Sequence, residues 1–357
     1  MKKTHWTSVL LIAWATAMLL ASCNDRPTLM PPSGGRLFDV LLVGNDSGVV
    51  RDVLQQDMPG LPQSEPQFDV STVAADNFKS TLRLSRCIVM VHVDSKIFTE
   101  PAIRTEKNVW AAPQTVVHVN TPSIARLRDS IPVLAPRLLL MLNKAEMSKS
   151  LSMIRHKRNT KAERLIQQQF GITMWVPADM VASKQANDFV WLSNNSPTVM
   201  KNIVVYRDWN RFATPDGKLN YYDNPIRHFT DARNYWLGRN IKGETDAMHM
   251  STVGESVTAT VFKKRLDAPW LYRGLWEMTG DDMGGPFVSL AIPLKNHRRT
   301  GNFDCENTVV EGFVFAPGKK KRNAMRELEA LLYTVKINKI WTIGKYAWPS
   351  PTETPMA

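Results

Sequence analysis

The sequence predicts an α+β fold built from two α/β-type halves, with mixed or antiparallel sheets and packing helices. Three observations support this prediction. The composition is globular, with 43% hydrophobic and 22% charged residues. Each half opens with an apolar strand that is followed by a turn and a helical pattern. The second half then continues as a run of strands mixed with helices, which is typical of α+β proteins.

A shift in aromatic content near residue 170 divides the chain. All seven tyrosines lie after Gly171, and Trp110 is the only tryptophan between the N-terminal leader and that glycine. We therefore expect an N-terminal α+β half over residues 37–170, ending in a long helix, and an aromatic-rich C-terminal α+β half over residues 171–346.

The first half opens with a strand at 38–43, a Gly-Asn-Asp-Ser-Gly turn and an amphipathic helix to about Gln56. Residues 87–93 and 115–119 are β-branched runs, so we expect two neighbouring strands of one sheet. From residue 122 to 170 the pattern is helical. Pro132 and Pro136 should break its early part, and Gly171 should end it.

The second half begins with a strand at 172–176 and a short helix near 178–183. The elements expected after these are strands at 188–193 and 202–207, a helix from Pro225 to about Leu237, strands at 256–263, 270–278, 287–293 and 308–315, and a helix at about 323–334.

The first 22 residues form a predicted secretory signal peptide. Lys2 and Lys3 make a basic start, residues 9–20 are apolar, and small residues precede Cys23. The apolar run is too short to cross roughly 30 Å of hydrocarbon as a helix, which favours its removal.

Leu-Ala-Ser-Cys at residues 20–23 resembles the bacterial lipobox. That resemblance implies cleavage before Cys23, a diacylglycerol thioether on its sulfur and an acylated amino group. An ordinary cleavage site beside a chance cysteine is the alternative. We expect residues 23–36 to be the lipidated cysteine and a flexible tether, and residues 347–357 to be a disordered tail. The expected location is the cell envelope, lipid-anchored to a bacterial membrane, with the outer membrane favoured and the body periplasmic or surface-facing.

The chain is basic, with a formal net charge of +12. Outside the cytoplasm such a charge favours anionic lipid headgroups or acidic glycans as partners, and we expect no nucleic acid. An envelope protein is a further candidate partner. Each basic cluster is also explained by a solvated surface. The clusters are Arg155–Arg158 with Lys161 and Arg164; Lys263–Arg265; Lys295 with His297–Arg299; and Lys319–Arg322.

Three blocks near the C-terminus carry a family resemblance. They are Tyr-Arg-Gly-Leu-Trp-Glu-Met at 272–278 with Met-Gly-Gly-Pro-Phe-Val at 283–288, Gly-Phe-Val-Phe-Ala-Pro at 312–317, and Lys-Arg-Asn-Ala-Met-Arg-Glu-Leu-Glu at 321–329. With Phe170-Gly171-Ile172 and the lipobox, the chain resembles, over nearly its whole length, a bacterial lipoprotein family described as domain of unknown function 4837. The resemblance implies an envelope lipoprotein without an established activity, so it assigns no catalytic residue.

One candidate metal site lies on the two predicted neighbouring strands. Strand alternation places His92 and Asp94 on one face of the first strand and His118 on one face of the second. Two imidazoles and a carboxylate could ligate zinc. Histidines at strand ends more often bond to backbone or water, so we expect no metal and no cofactor. Cys87 and Cys305 could form a disulfide, although their different surroundings favour two unpaired thiols.

Two surfaces are candidate binding sites. Lys319, Lys320, Lys321 and Arg322 precede a helix with Asn323 as its expected N-cap, where cations and free N–H groups could hold an external anion; the alternative is a solvated basic turn. The aromatic residues Tyr221, Tyr222, Tyr235 and Trp236 could form a glycan platform or simply pack.

No common catalytic motif occurs: the sequence has no Gly-x-Ser-x-Gly elbow, His-Glu-x-x-His helix, P-loop or paired Cys-x-x-Cys. Residues distant in sequence can still assemble a catalytic site. The sequence therefore favours a non-enzymatic binding or scaffold module, while an envelope hydrolase acting on glycan or peptide is the alternative.

Overall fold

The computed structural model of this chain describes residues 30–210, 225–261, 268–294, 305–337 and 341–342. These residues form an α+β fold with mixed and antiparallel sheets, which confirms the predicted fold class. No helix in these ranges is both long and apolar enough to cross a membrane. The predicted signal peptide, Cys23 and the predicted tail lie outside the described residues.

The N-terminal half is built on a five-stranded sheet of order β2-β1-β3-β5-β4. Strands β1, β2, β3 and β5 are parallel, and β4 is an antiparallel edge strand beside β5. The predicted adjacency of the strands at 87–93 and 115–119 is confirmed. The elements of this half are β1 (Asp39–Val43), α1 (Val49–Leu54), β2 (Asp69–Val73), 3-10 helices at Ala75–Asn77 and Ser80–Leu84, β3 (Cys87–Val93), β4 (Ala102–Lys107) and β5 (Thr115–Thr121).

The segment predicted as tether is attached to this half earlier than expected. Pro32 and Gly34 form isolated bridges with Ala112 and Ser85. Gly34 N–H donates to the Leu84 carbonyl, and the Arg86 N–H donates to the Gly34 carbonyl. Backbone pairing therefore holds the chain from Pro32 onwards, and the predicted boundary at residue 36 is wrong.

A 31-residue helix, α2 (Ile124–Ile154), follows β5 and packs on one face of the sheet. It runs through Pro132 and Pro136, so the predicted break is wrong. Each proline removes one helical hydrogen bond. The carbonyls that lose their partners belong to residues 128 and 132, which are exposed and can bond to water. Helix α3 (Thr160–Phe170) ends at Gly171 in the left-handed conformation, as predicted.

The C-terminal half is built on a seven-stranded antiparallel sheet of order β10-β11-β12-β13-β9-β8-β7. The short helix predicted near 178–183 is wrong, because residues from Val181 pair with β8 as a hairpin strand. The elements are β6 (Ile172–Thr173), β7 (Val181–Ala186), β8 (Phe189–Ser193), β9 (Met200–Asn210), α4 (Pro225–Asn240), β10 (Met250–Val261), β11 (Trp270–Met278), β12 (Gly284–Leu294), β13 (Cys305–Phe315), α5 (Arg322–Leu332), β14 (Lys336–Ile337) and β15 (Trp341–Thr342).

The aromatic bias of this half has a packing cause. Helix α4 covers one face of the seven-stranded sheet, and the cluster between them includes Tyr206, Phe229, Tyr272, Trp276 and Phe287. Helices α3 and α5 cover the other face with mostly aliphatic side chains. Both faces of this sheet are therefore core.

Helix α5 also joins the two halves. Its Ala330 belongs to the core of the N-terminal half. The Arg326 guanidinium donates to Asn143 of α2 and lies 4.8 Å from the ring centroid of Phe38. Burial lowers the pKa of Arg326 to about 10. A buried cation shared between the halves fixes their relative position.

Candidate functional site

The structure brings together the two histidines of the predicted metal site. His92 on β3 and His118 on β5 are both half-buried, and His92 Nε2 lies 3.0 Å from His118 Nδ1. Their ring planes differ by 17° and their centroids are 5.3 Å apart. Because the nitrogens are much closer than the centroids, the rings lie edge to edge and share one N–H···N hydrogen bond. Burial is the main cause of the lowered pKa of each histidine, which favours a neutral pair.

The third member of that site does not join the histidines. The Asp94 carboxylate instead accepts a hydrogen bond from the Lys96 N–H at 2.8 Å. Over the described part of the chain, no group of three or more His, Cys, Asp and Glu side chains is placed to hold a metal ion. Two nitrogens already bonded to each other make a poor metal site, since structural and catalytic zinc need three or four protein ligands.

The predicted anion site before α5 has an internal occupant. The helix begins at Arg322 with Lys321 as its N-cap, two residues before the expected N-cap Asn323. The Glu65 carboxylate accepts hydrogen bonds from the N–H groups of Lys321 (2.6 Å) and Arg322 (3.0 Å). A carboxylate of the N-terminal half thus stands where an external anion was expected.

The side chains of this basic segment are also engaged. Arg322 donates to Asp69 Oδ2 at 2.6 Å, and Lys320 Nζ lies 3.4 Å from Asp69 Oδ1. Lys321 is buried and donates to the carbonyl of Lys319. Of the four predicted residues, Lys319 and Lys320 are exposed, while Lys321 and Arg322 are buried against the N-terminal half. The segment therefore acts mainly as a joint between the halves.

The other predicted surfaces are only partly described. Tyr235 is 54% exposed, its ring lies edge-on to Trp236, and the Arg239 guanidinium sits 5.1 Å from its centroid. Trp236 packs against the core under α4. The remaining predicted groups, Tyr221, Tyr222, Lys263–Arg265 and Lys295 with His297–Arg299, lie outside the described residues, as does the Cys305 thiol.

A cleft of about 640 Å³ opens between α2 and the paired strands β4 and β5. The charged and hydroxyl side chains on its walls include Arg86, Lys107, Lys144, Lys149, Ser148 and Ser152. Sequence reasoning did not single out any of these residues. The four of them that belong to α2, at positions 144, 148, 149 and 152, are spaced so that they share one face of a helix, and this spacing is the pattern that could have revealed them.

Two neighbouring ammonium groups dominate the cleft. Lys107, at the end of β4, donates from Nζ to the Thr115 hydroxyl of β5 at 2.7 Å. Burial, opposed by Cys87 and reinforced by the nearby Lys144 ammonium, lowers the pKa of Lys107. A bound anion would relieve both the burial cost and the repulsion between the two lysines.

Glu146 is the one carboxylate among the described residues that line the cleft, and its oxygens are occupied. It is fully buried and accepts from the Phe38 N–H at 2.6 Å and from Arg86 Nε at 2.8 Å and Nη2 at 3.0 Å. The Cys87 thiol is 3.1 Å from Glu146 Oε1. The Arg86–Glu146 pair therefore forms a neutral floor, and the lysines above it have no carboxylate competitor there.

The same contacts define the chemistry that the cleft can do. Burial, with the adjacent Glu146 charge, raises the pKa of the free Cys87 thiol well above its usual range. A protonated thiol is a weak nucleophile. Glu146, held by four donors, is not placed to accept a substrate proton. Neither Cys87 nor Glu146 is thus placed to act on a substrate, while the lysines of the cleft are placed to meet an anion.

Two family models match this chain, and they meet between α2 and α3. Residues 33–155 match a model described as Domain of unknown function (DUF8532). Comparisons with curated proteins and with solved structures give no match. The DUF4837 resemblance expected over nearly the whole chain is thereby limited to the second half. Residues 159–334 match a second model, described as Domain of unknown function (DUF4837).

Proposed function

We propose that this protein is a lipid-anchored lipoprotein of the bacterial cell envelope that binds an acidic glycan without transforming it. The support for the anchor is the sequence Leu-Ala-Ser-Cys after an apolar leader. Three acyl chains on Cys23 would make membrane attachment effectively permanent. Because the chain is paired with the body from Pro32 onwards, about nine residues remain as the tether, which reach roughly 28 Å when extended.

The observation that carries the binding proposal is the cleft beside α2. Lys107, Lys144 and Lys149 line it, while its carboxylate, Glu146, is saturated by Arg86, Cys87 and a backbone N–H. Lysine ammonium groups suit carboxylates as well as phosphates. Nearby hydroxyl groups, such as those of Ser148 and Ser152, can bond to sugar hydroxyls. A uronic acid unit offers both kinds of partner.

The hydrolase alternative requires a different arrangement. Glycoside hydrolysis usually needs two carboxyl groups about 5 to 9.5 Å apart, one of them free to donate a proton. In the cleft as described, Glu146 is a single carboxylate and takes part in a buried ion pair. A binding role therefore fits the geometry better than glycan cleavage.

Equilibrium binding of trigalacturonate to the purified full-length protein tests the proposal. We expect binding that weakens with added salt, and a loss of about tenfold or more in affinity for Lys144→Gln, because one charge-assisted hydrogen bond contributes about 1.5–3 kcal/mol. Lys96→Gln is the matched control. Lys96 is exposed and follows the C-terminal end of β3, whereas the cleft lies beside the N-terminal ends of β3 and β5. No binding by the natural chain, or equal losses in the two variants, would contradict the proposal.

The anchor is tested separately by mass spectrometry of the N-terminus. We expect a mature chain that starts at acylated Cys23 and that partitions into detergent. Cys23→Ser should yield a protein that is no longer recovered with membranes. An unmodified Cys23, or a retained leader, would contradict the anchored location.

A further inference from the structure

A second cationic pocket lies on the C-terminal half. It has a volume of about 350 Å³ and is lined by Arg158, Arg164, Trp175 and Lys336, among others. Arg164 comes from α3, Trp175 follows β6, and Lys336 belongs to β14. The Trp175 N–H donates to the Thr334 hydroxyl at 2.9 Å, which ties two of these walls together.

The acid in this pocket is internally engaged, as it is in the first cleft. Glu163 accepts from Arg158 Nε at 3.1 Å and from the Val176 N–H at 3.0 Å. The Arg158 guanidinium also lies 5.3 Å from the centroid of the Trp175 ring. Arg164 and Lys336 are exposed on the pocket wall. The pocket thus shares one feature with the cleft: a carboxylate paired with an arginine lies beside exposed cations.

A basic turn connects the two sites. Ser152, on the rim of the cleft, precedes Arg158 of the second pocket by six residues, so their Cα atoms are at most about 21 Å apart. Arg155 keeps a helical conformation beyond the end of α2, and its spacing of three from Ser152 continues the same helix face. Arg155, His156 and Lys157 are all exposed.

Charge along this path is strongly one-sided. Between Lys144 and Arg164 the sequence carries seven lysines and arginines against two acids. The two acids are Glu146 and Glu163, and each is held in an ion pair inside one of the pockets. An anionic chain that lies along the path would therefore meet no unpaired carboxylate in it.

We propose that the cleft, the turn and the second pocket form one continuous track for a single chain of acidic polysaccharide. The track is defined by Lys107, Lys144, Lys149, Arg155, Lys157, Arg158, Arg164 and Lys336. The inference rests on the proposed function, since the cleft must bind one acidic unit before the track can bind several. Two cation sites on one folded chain bind a linked ligand more tightly than separate units, because the second contact is intramolecular.

Shape favours a glycan over other polyanions. The cations at both ends line concave pockets, together with hydroxyl groups such as those of Thr105, Ser148 and Thr160. A flat bilayer surface fits a concave pocket poorly, even where the cations on the pocket walls are exposed. Single-stranded nucleic acid is usually held by aromatic stacking, and Trp175 already has the Arg158 guanidinium over its ring.

A length series of oligogalacturonates, from dimer to dodecamer, tests the track on the full-length protein. We expect the affinity to rise at least tenfold between the trimer and the longest oligomer. Arg164→Gln should remove most of that gain, so that the longest oligomer binds nearly as weakly as the trimer. Lys242→Gln is the matched control, because Lys242 is exposed after α4 on the opposite face of the seven-stranded sheet, and we expect it to change neither value.

The outcomes separate the two proposals. If the trimer binds but the affinity does not increase with oligomer length, the track is overturned and the cleft proposal still stands. Absence of binding at every length overturns the proposed function itself. Tighter, Arg164-dependent binding to phosphatidylglycerol vesicles or to an oligodeoxythymidylate than to the longest oligogalacturonate overturns the assignment to a polysaccharide.

Discussion

Removing the Glu65 carboxylate should weaken the joint between the two halves by a measurable amount. Glu65 is 4% exposed and accepts from the first two N–H groups at the start of α5, at 2.6 Å and 3.0 Å. Hydrogen bonds to a charged group contribute about 1.5–3 kcal/mol each, and the helix dipole adds up to about 2 kcal/mol in a partly buried site. Removing the carboxylate also removes the free-energy cost of burying it, which offsets part of these losses. We therefore expect Glu65→Ala to lower the free energy of unfolding by about 2–4 kcal/mol.

Urea unfolding of the full-length protein, followed by tryptophan fluorescence, measures this loss. Glu65→Gln keeps the shape and one acceptor but not the charge, so its loss should be about half as large. Sulfate should restore Glu65→Ala specifically, because the vacated helix start and Arg322 then offer an external anion site. A sulfate concentration of about 100 times its dissociation constant would raise the free energy of unfolding of Glu65→Ala by about 2.7 kcal/mol.

Sodium chloride at equal ionic strength is the control for that rescue. Sulfate stabilises any folded chain to some extent because it is excluded from the protein surface, so the difference between the two salts should be larger for Glu65→Ala than for the natural chain. A loss below about 0.5 kcal/mol in Glu65→Ala would refute the reasoning, since it would mean that water replaces the carboxylate at no cost. Stabilisation by sulfate of the same size in the natural chain would refute the internal-anion interpretation as well.

Three further predictions concern ionisable side chains outside this joint. Burial raises the pKa of Asp208 from 3.8 to about 6, so the folded state is most stable with respect to this group below pH 3.8 and loses that stability as the pH rises to 6. In urea unfolding at pH 7, Asp208→Asn should raise the free energy of unfolding by up to about 3 kcal/mol, whereas Asp281→Asn in an exposed turn should leave it unchanged. Trigalacturonate affinity should fall with rising pH below the ordinary lysine range, because the pKa of Lys107 is lowered, and Lys107→Arg should abolish that fall. Glu311→Gln should lower the free energy of urea unfolding by about 3–5 kcal/mol, because the fully buried Arg233 then lacks a charged partner. Adding Arg233→Met to this variant should recover part of that loss.

Local sequence patterns predicted the buried elements of this fold well. Strand β3 was expected at its observed bounds, and its neighbour β5 differs only at its end, because both are β-branched runs buried in the centre of the sheet. The end of α3 was equally predictable, since Gly171 adopts the positive φ of a helix C-cap. In each case the determining interactions lie within a few residues of the chain.

Edge elements escaped prediction for a physical reason. Strand β2 has no buried residue, and Ile103 is the one buried residue of the edge strand β4. Such segments become strands because a neighbouring strand offers hydrogen-bond partners, which the sequence does not show. The continuity of α2 through its prolines has a similar origin, because buried leucines on both sides of the prolines hold the helix together.

The candidate sites show the same limit more sharply. The histidine contact was anticipated because alternation along two neighbouring strands is a local pattern. Arg86 and Glu146 are 60 residues apart, and Glu65 is more than 250 residues from the helix that it caps. Because the sequence does not show where Glu146 and Glu65 lie in the fold, the basic segments appear equally available to external anions when the sequence is considered alone. Which cations remain available to a ligand is therefore decided by long-range pairing.

That pairing distinguishes the two basic regions of this molecule. Before α5, carboxylates of the N-terminal half meet the cations, so the charge there stabilises the association of the halves. Along α2 and the following turn, Glu146 and Glu163 pair with arginines inside the pockets. Lys144 and Arg155 are exposed, Lys149 is half-buried, and the ion pairs described for this segment include none of these three cations. The first arrangement holds the second pocket at a fixed distance from the cleft. A joint of this kind is what a track shared by two family modules requires, because a bound chain gains from two sites only if their spacing is constant.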